Sequence, residues 1–343
     1  MAARSVVDAH RLAARGPNGD ELATDVACIG ARRPKQTVVV SSGVHGVEGF
    51  FGSAVQVAWL RRLGTGQTAV PAGMAVVLVH AVNPYGFAWR RRTDEQNVDL
   101  NRNFLDAGDA YQGVPDHYDR VHELLNPATP APRMQMFRVR AALAALRHGR
   151  VALRTAVAAG QYEHPSGLFY GGGAPAAATR LVQERFWDWT LGADVVVHLD
   201  LHTGLGQFGD CQLLIDPPLD RHIDWYREHF GGTRVVAAND GGPYVARGTM
   251  GVWLARHAGA RRYRFACVEA GTYSPLRVLG ALRAENRAYR FSKVGTAPYE
   301  RAKRELVECF CPASGLWRRK ALTRALRILD QAVSGPARGD STA

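Results

Sequence analysis

The sequence predicts an α/β fold with three α/β/α layers around a mixed, mainly parallel central sheet. Several valine-rich runs are apolar almost throughout, which is typical of strands that are covered on both faces. Stretches with helical periodicity alternate with these runs, and such alternation favours a layered α/β domain. The predicted strands are Leu22–Ile29, Thr37–Ser41, Met74–Val82, Asp194–Leu201, Gln212–Ile215, Thr233–Ala237 and Arg264–Val268. The predicted helices are Val47–Leu63, Met134–Arg150, Ala176–Leu191, Pro218–Phe230, Leu276–Phe291, Tyr299–Cys309 and Leu316–Val333.

Length and hydropathy predict one large core. The chain has 343 residues, of which 46% are hydrophobic, and this is enough to bury a large α/β core. We predict a single domain over residues 1–333, with an insertion at about 105–190, and a flexible tail over 334–343. No run of eighteen apolar residues occurs, so we expect no membrane partner. The first residues lack the apolar core of a signal peptide, which predicts a cytoplasmic protein.

The formal net charge of +12 comes from scattered arginines, since only four of the 43 basic residues are lysine. No basic stripe carries interleaved aromatic residues, so we expect no nucleic-acid partner. The densest basic cluster, residues 317–327, is interpreted as a solvated or oligomer-contacting face of a C-terminal helix, with an anion-binding surface as the alternative. The five cysteines form no disulfide framework, and an odd number fits a reducing compartment.

The most informative motif follows the strand-like run Thr37–Val40. The segment Ser41–Gly49 places His45 and Glu48 three residues apart, where the chain leaves a buried strand. Loops at the carboxyl ends of sheet strands commonly carry the sites of α/β proteins. An imidazole nitrogen and a carboxylate can occupy two corners of a tetrahedral zinc site, and His202 offers the third ligand after another apolar strand. The fourth position would stay open for water.

Other polar residues near strand ends could supply the remaining chemistry. Amide hydrolysis needs a carboxylate that takes a proton from metal-bound water and a cation that stabilises the oxyanion. Glu269 closes an apolar strand and is the candidate base, while Asp200 either orients a zinc ligand or simply ends its strand. The candidate cations and substrate-binding groups lie in the segments NPYG (83–86), WRRRT (89–93) and VDLNRNF (98–104).

A segment rich in glycine and aromatic residues, 160–173, indicates an ordered loop rather than a linker. We interpret it as a lid or a wall of the pocket. Its residues Tyr162 and His164 could line that pocket, and packing within the loop is the alternative interpretation.

Taken in order, the HxxE loop, the NPYG turn, the arginines, the DLNRNF segment and the later histidine resemble the motifs of the zinc carboxypeptidase superfamily. The resemblance runs from about Thr37 to Pro275 and implies a zinc carboxypeptidase-like fold in which the 105–190 insertion is expanded. It implies that His45, Glu48 and His202 bind one zinc ion per chain.

The same resemblance implies roles for the other groups. Asn101 and Arg102 would bind the free carboxylate of a substrate, and Arg92 would polarise the scissile carbonyl. Arg90 and Arg91 are alternatives to Arg92, because three arginines in a row leave the register open.

Two further residues match the superfamily's pattern. Glu269 resembles its general base. Tyr244 resembles its mobile tyrosine and could donate a hydrogen bond to bound substrate, and packing of the ring in its loop is the alternative.

Two departures bear on the substrate. The segments VEAGTY (268–273) and DLHT (200–203) resemble the aspartoacylase and succinylglutamate desuccinylase branch, and Tyr85 replaces the usual aspartate of the NPDG-like turn. The whole pattern is most similar to an uncharacterised bacterial group of carboxypeptidase-like proteins, DUF2817.

We therefore expect a zinc-dependent hydrolase that cleaves an amide bond in a small molecule or short peptide bearing a free carboxylate. An N-acyl amino acid deacylase is the alternative enzyme, and a non-catalytic protein that binds zinc or carboxylates is the alternative outside enzymes. The sequence leaves the oligomeric state open.

Overall fold

A computed structural model of the chain describes residues 4–116, 118–131, 136–148, 159–237 and 246–334. The strands are β1 (Arg4–Arg15), β2 (Glu21–Gly30), β3 (Gln36–Ser42), β4 (Met74–His80), β5 (Val195–Gly204), β6 (Cys211–Ile215), β7 (Arg234–Ala237) and β8 (Arg262–Gly271). The α-helices are α1 (Gly49–Gly64), α2 (Pro84–Ala88), α3 (Asp119–Leu125), α4 (Phe137–His148), α5 (Ala177–Trp189), α6 (Ile223–His229), α7 (Met250–Arg256), α8 (Pro275–Phe291), α9 (Ala297–Phe310) and α10 (Gly315–Val333). Short 3₁₀ turns lie at Gly46–Glu48, Leu100–Arg102 and Leu219–His222.

These strands form an eight-stranded mixed sheet in the order β1-β2-β4-β3-β5-β8-β6-β7. The central strands β4, β3, β5 and β8 are mutually parallel, whereas β2 and β6 join them antiparallel on either side. The predicted α/β class with a mixed, mainly parallel sheet is confirmed. Because β3, β5 and β8 run in the same direction, their carboxyl ends meet at one edge of the sheet.

Helices cover both faces of the central strands. On one face, α1 and α10 pack together through Phe51 and Trp317, whose ring centroids lie 5.6 Å apart. On the other face, Phe186 of α5 packs against His198 of β5, and Gly251 of α7 lies directly against Phe265 of β8. The valine-rich β3 is buried along its whole length, as expected for a strand between two layers.

Some elements differ from the sequence-based prediction. Strand β1 was not predicted, because it pairs only with β2 at the edge of the sheet and most of its side chains are exposed, so it lacks a buried apolar pattern. The predicted strand Met74–Val82 ends earlier, at His80. The predicted helix Met134–Arg150 is described only in part, as α4, and residues 335–343 of the predicted tail lie outside the described residues. Among the helices that the structure describes, none is long and apolar enough to cross a bilayer.

Candidate metal centre and active site

The loop after β3 is built by close backbone packing. A Cβ atom on Gly46 would lie only 2.0 Å from the carbonyl carbon of Gly86, so a side chain has no room there. The backbone N–H groups of Gly46 and Val47 donate to the carbonyls of Arg92 and Arg91, at 3.2 and 2.7 Å. The loop that carries His45 and Glu48 is therefore fixed against the segment that carries the three arginines.

The structure brings His45, Glu48 and His202 together. Nδ1 of His45 lies 2.9 Å from Oε1 of Glu48, and Nδ1 of His202 lies 3.1 Å from Oε2 of the same carboxylate. One ligand atom from each of the three side chains lies within 4.8 Å of the others, and all three residues are buried. Burial raises the pKa of Glu48, whereas the charges and hydrogen bonds of protonated His45 and His202 lower it below its ordinary value.

The outer nitrogens of both rings face carboxylates. Nε2 of His202 lies 2.6 Å from Oδ2 of Asp200, and Nε2 of His45 lies 3.1 Å from Oδ1 of Asp99. An Nε2–H that donates to a carboxylate leaves the Nδ1 lone pair facing inward, which is the usual arrangement around zinc-binding histidines. Nδ1 of His45 is buried, and its 2.9 Å approach to Glu48 lacks the geometry of a hydrogen bond. The Nδ1 atoms of His45 and His202 both face the buried carboxylate of Glu48. This set of ligands fits a zinc ion, because a bound cation would remove the repulsion between the nitrogen lone pairs and the carboxylate.

Arg92 is the arginine that reaches this centre. Its Nε donates to Oδ2 of Asp99 at 2.8 Å, its Nη1 donates to Oε1 of Glu48 at 3.3 Å, and its Nη2 lies 2.7 Å from Nε2 of His45. Arginine can only donate, so the contact with His45 needs a lone pair on Nε2, whereas the contact with Asp99 needs a proton there. The tautomer that binds a metal through Nδ1 is the one that keeps the bond to Asp99.

The two neighbouring arginines point elsewhere. Arg90 pairs with Glu300 on α9 at 3.0 Å, and Arg91 is buried and donates to Glu285 on α8 at 3.1 Å. Lys303, which has no exposed surface, lies 2.6 Å from the same oxygen of Glu285. Glu285 is thus the shared counter-charge of two buried cations, and through Arg91 it anchors the backbone next to Arg92.

We expect Glu285→Gln to lower the free energy of unfolding by about 3–5 kcal/mol, because Arg91 and Lys303 would lose their buried counter-charge. Urea denaturation measures this change. Glu300→Gln is the matched control, since it removes a partly exposed ion pair and should cost less than about 1 kcal/mol. Equal effects of the two variants would contradict the interpretation.

Glu269 lies opposite His202 in the parallel register of β8 and β5. Its Oε1 accepts a hydrogen bond from the N–H of Leu205 at 2.7 Å, and its Oε2 lies 3.7 Å from Sγ of Cys267. Burial, together with the charge of Glu48, raises the pKa of Glu269 to about 7. The structure thus places a second buried carboxylate next to the His–Glu–His group.

The DLNRNF segment runs beside the centre. Asp99 is fully buried, and its Oδ1 also accepts from the N–H of Asn101 at 3.2 Å. Oδ1 of Asn101 accepts from the N–H of Met250 at 3.0 Å, so this side chain holds the start of α7. Arg102 is buried, and its Nη1 donates to the carbonyl of Asn101 at 2.7 Å. Tyr244 lies outside the described residues.

The loop over residues 160–173 packs beside this segment. The side chain of Gln161 is fully buried and bonds to the backbone at Glu163, His164 and Leu168. Tyr162 donates to the carbonyl of Arg102 at 2.7 Å, and the ring of Phe169 lies 5.3 Å from Cζ of Arg92. These contacts join the loop to the DLNRNF segment and bring Phe169 near Arg92.

Several residues of this region were missed or left open by sequence reasoning. Asp99 lies inside a recognised motif, but its contact with His45 depends on the fold. Asp216 follows β6, and burial raises its pKa while the charges of Arg102 and His202 oppose that shift. Cys267 forms a second group with His202 and Glu269 whose ligand atoms lie within 4.8 Å of one another. The sequence alone does not indicate these pairings, because the register of β5 and β8 brings Cys267 near His202 and a turn brings Asp99 to His45.

Comparisons with known proteins give the family of this chain. Similar solved structures include bovine thrombin-activatable fibrinolysis inhibitor, at 12% identity over 95% of this chain and 89% of that chain, with a TM-score of 0.48. Carboxypeptidase A from Helicoverpa armigera matches at 13% identity over 94% and 69% of the two chains, with a TM-score of 0.43. A succinylglutamate desuccinylase from a Silicibacter species matches at 13% identity over 85% and 68%, with a TM-score of 0.41.

At such low identities these structures assign no activity, and no curated protein matches the sequence. The family profile of DUF2817, described as a protein of unknown function, matches residues 1–324. Since that match covers nearly the whole chain, the protein belongs to the DUF2817 family.

Proposed function

We propose that this protein is a zinc-dependent hydrolase that cleaves an amide bond in a small, carboxylate-bearing substrate, as a carboxypeptidase-like peptidase does. The observation that carries the proposal is the buried group of His45, Glu48 and His202, with two Nδ1 atoms facing one carboxylate and Glu269 beside them. This combination has the ligands and the additional carboxylate that metal-assisted hydrolysis needs.

Each residue would have a defined task. A zinc ion held by His45, Glu48 and His202 would supply Lewis acidity and lower the pKa of a bound water. Glu269 would take the proton of the attacking water on Oε2, since Oε1 is held by Leu205, and would later deliver it to the leaving nitrogen.

The arginines and Asn101 would handle the negative charges of the reaction. Arg92 would stabilise the oxyanion that forms at the scissile carbonyl, because its guanidinium already lies at the metal ligands. Arg102 and Asn101 would bind the substrate carboxylate, with Tyr244 donating a further hydrogen bond.

An N-acyl amino acid deacylase is the second candidate. The observation that favours it is the similarity of the segments 268–273 and 200–203 to the aspartoacylase and succinylglutamate desuccinylase branch. Both candidates use the same catalytic groups, and in both the carboxylate is on the amino acid that leaves with the amide nitrogen. They differ in the acyl side of the amide, which is a peptide for the peptidase and a simple acyl group for the deacylase.

Product analysis separates the candidates. The zinc-loaded protein is incubated with a mixture of short peptides and, separately, with N-acetyl, N-succinyl and N-fatty-acyl amino acids. Release of C-terminal amino acids supports the peptidase, and release of the free acyl acid supports the deacylase. Absence of product from both sets, at full zinc occupancy, would contradict the hydrolase proposal and favour a binding protein.

We expect Arg92→Ala to lower kcat by about 10²–10³-fold, because the oxyanion would lose a charged donor. Arg90→Ala is the matched control on the same short segment and should leave kcat near the wild-type value, since Arg90 pairs with Glu300 away from the metal ligands. Steady-state kinetics on whichever substrate is found give both values. A larger loss for the control than for Arg92→Ala would exclude Arg92 from this role.

A further inference from the structure

A chain of hydrogen bonds runs from the candidate zinc ligand His202 into the core. Nε2 of His202 lies 2.6 Å from Oδ2 of Asp200, whose Oδ1 accepts from Oγ of Ser41 at 2.5 Å. The same Oγ lies 2.7 Å from Nε2 of His198, and Nδ1 of His198 lies 2.7 Å from the hydroxyl of Tyr263. Four consecutive contacts thus connect five side chains on three neighbouring strands.

Strand register produces this arrangement. His198, Asp200 and His202 alternate along β5, so their side chains share one face of the sheet. Ser41 lies directly opposite Asp200 in the parallel pairing of β3 with β5, and Tyr263 is on β8, the other neighbour of β5. The chain of hydrogen bonds therefore crosses the centre of the sheet.

The surroundings exclude water from the inner part of this chain. His198 and Asp200 have no exposed surface, and Ser41 and Tyr263 are buried. The rings of Phe186 and Phe265 pack against His198, with centroids 5.0 and 5.1 Å away. A polar group in such a place is costly unless it is hydrogen-bonded, so each proton of the chain must have a partner.

The chemistry of the groups determines which atom is the donor and which is the acceptor in each of these hydrogen bonds. The Asp200 carboxylate only accepts, so both Ser41 and His202 must donate to it. Ser41 has one proton, which is thereby used, so Nε2–H of His198 must donate to Oγ of Ser41. Burial lowers the pKa of His198 to about 4, which makes the ring neutral, and its Nδ1 must accept from the hydroxyl of Tyr263.

We propose that Ser41, His198 and Tyr263 are positioning residues that, through Asp200, hold His202 in the tautomer that binds zinc through Nδ1. In that tautomer the proton is on Nε2 and the Nδ1 lone pair faces Glu48, where the metal would bind. The inference rests on the proposed function, because it concerns the same zinc ion. It adds to that function a set of core residues, remote from any substrate, that determine metal affinity.

Zinc affinity tests the proposal directly. We would measure the Kd for zinc by competition with a chromogenic chelator for the wild type, Ser41→Ala and Tyr263→Phe. Loss of a group that orients a metal-binding histidine typically weakens metal binding by about 10–100-fold, so we expect about a 10-fold higher Kd for Ser41→Ala. Tyr263→Phe should raise the Kd by a smaller factor, because it lies two contacts further from Asp200.

Tyr226→Phe is the matched control. The hydroxyl of Tyr226 is also buried and donates to the carbonyl of Phe265, on the same strand as Tyr263, but it is outside the chain of hydrogen bonds. We expect this variant to keep the wild-type Kd. Thermal unfolding followed by circular dichroism shows whether each variant is folded, and Tyr263→Phe carries the test if Ser41→Ala does not fold.

A second readout reports the tautomers themselves. In zinc-loaded protein labelled with ¹⁵N-histidine, we expect both His198 and His202 to show a protonated Nε2, and the His198 signal to change in Tyr263→Phe. A protonated Nδ1 on His198, or a wild-type Kd for folded Ser41→Ala and Tyr263→Phe, would overturn the proposal. If the wild type itself binds no zinc, the proposed function fails instead, so the two failures are distinguishable.

Discussion

Glu269→Gln is expected to lower kcat by about 10²–10⁴-fold while the protein keeps its zinc, because an amide cannot take a proton from the attacking water. The amide oxygen of glutamine can still accept from the N–H of Leu205, so the side chain should stay in place. Steady-state kinetics and elemental analysis of the same preparation give turnover and zinc content together.

The control for this substitution is Glu300→Gln, which makes the same chemical change at an ion pair with Arg90. We expect its kcat to match the wild type. Turnover by Glu269→Gln at the wild-type rate would exclude Glu269 as the general base. Loss of zinc from Glu269→Gln would instead place Glu269 among the groups that hold the metal, in line with its position beside His202.

His202→Ala is expected to abolish both zinc binding and turnover. The substitution removes one of three ligands and leaves the Asp200 carboxylate buried without its imidazole partner. Without the metal, the transition state loses several kcal/mol of electrostatic stabilisation, so we expect activity no higher than that of the chelator-treated wild type. Zinc titration and a turnover assay measure the two effects.

His257→Ala is the matched control for His202→Ala. The ring of His257 stacks on that of Trp253, with the centroids 3.8 Å apart, and the side chain is partly exposed. It is not one of the three candidate zinc ligands. It should keep zinc and activity. A His202→Ala protein that still bound one zinc tightly would show that the ligand set is a different one.

The framework of the fold could be predicted from the sequence because its central strands are long, nearly continuous apolar runs. Strands β3, β5 and β8 lie between two helical layers, so β3 and β5 carry valine-rich runs and β8 carries a shorter apolar run in its middle. Strand β1 is exposed along most of its length and carries no such pattern. Prediction from hydropathy therefore missed β1, whereas the strand at the other edge of the sheet, β7, was predicted at Thr233–Ala237.

Part of the candidate site could also be located from the sequence. His45 and Glu48 follow β3, and His202 lies near the carboxyl end of β5, which extends beyond the predicted strand Asp194–Leu201. The structure places their ligand atoms within 4.8 Å of one another. Which of Arg90, Arg91 and Arg92 faces the candidate zinc ligands depends on how the backbone turns in this segment. In the structure, Arg91 points into the core towards Glu285, whereas Arg92 points towards the candidate zinc ligands and contacts Glu48.

The groups that orient the histidines could be predicted only in part: the sequence offered Asp200 as a group that could orient a zinc ligand, and the structure places it 2.6 Å from His202, but nothing indicated Ser41 or Asp99. Ser41 and Asp200 are 159 residues apart and meet because β3 and β5 pair in one register, and a shift of one residue would place them on opposite faces. Asp99 is 54 residues from His45 in the sequence and reaches it from a turn rather than a strand. Such contacts depend on the tertiary structure as a whole.

The zinc content of the wild-type protein is the measurement that tests the central claim most directly. The protein would be purified without added metal and examined by elemental analysis, before and after incubation with zinc and removal of the excess. We predict about one zinc per chain, held by His45, Glu48 and His202. A protein that retains no zinc even after it is supplied would contradict the proposed hydrolase mechanism.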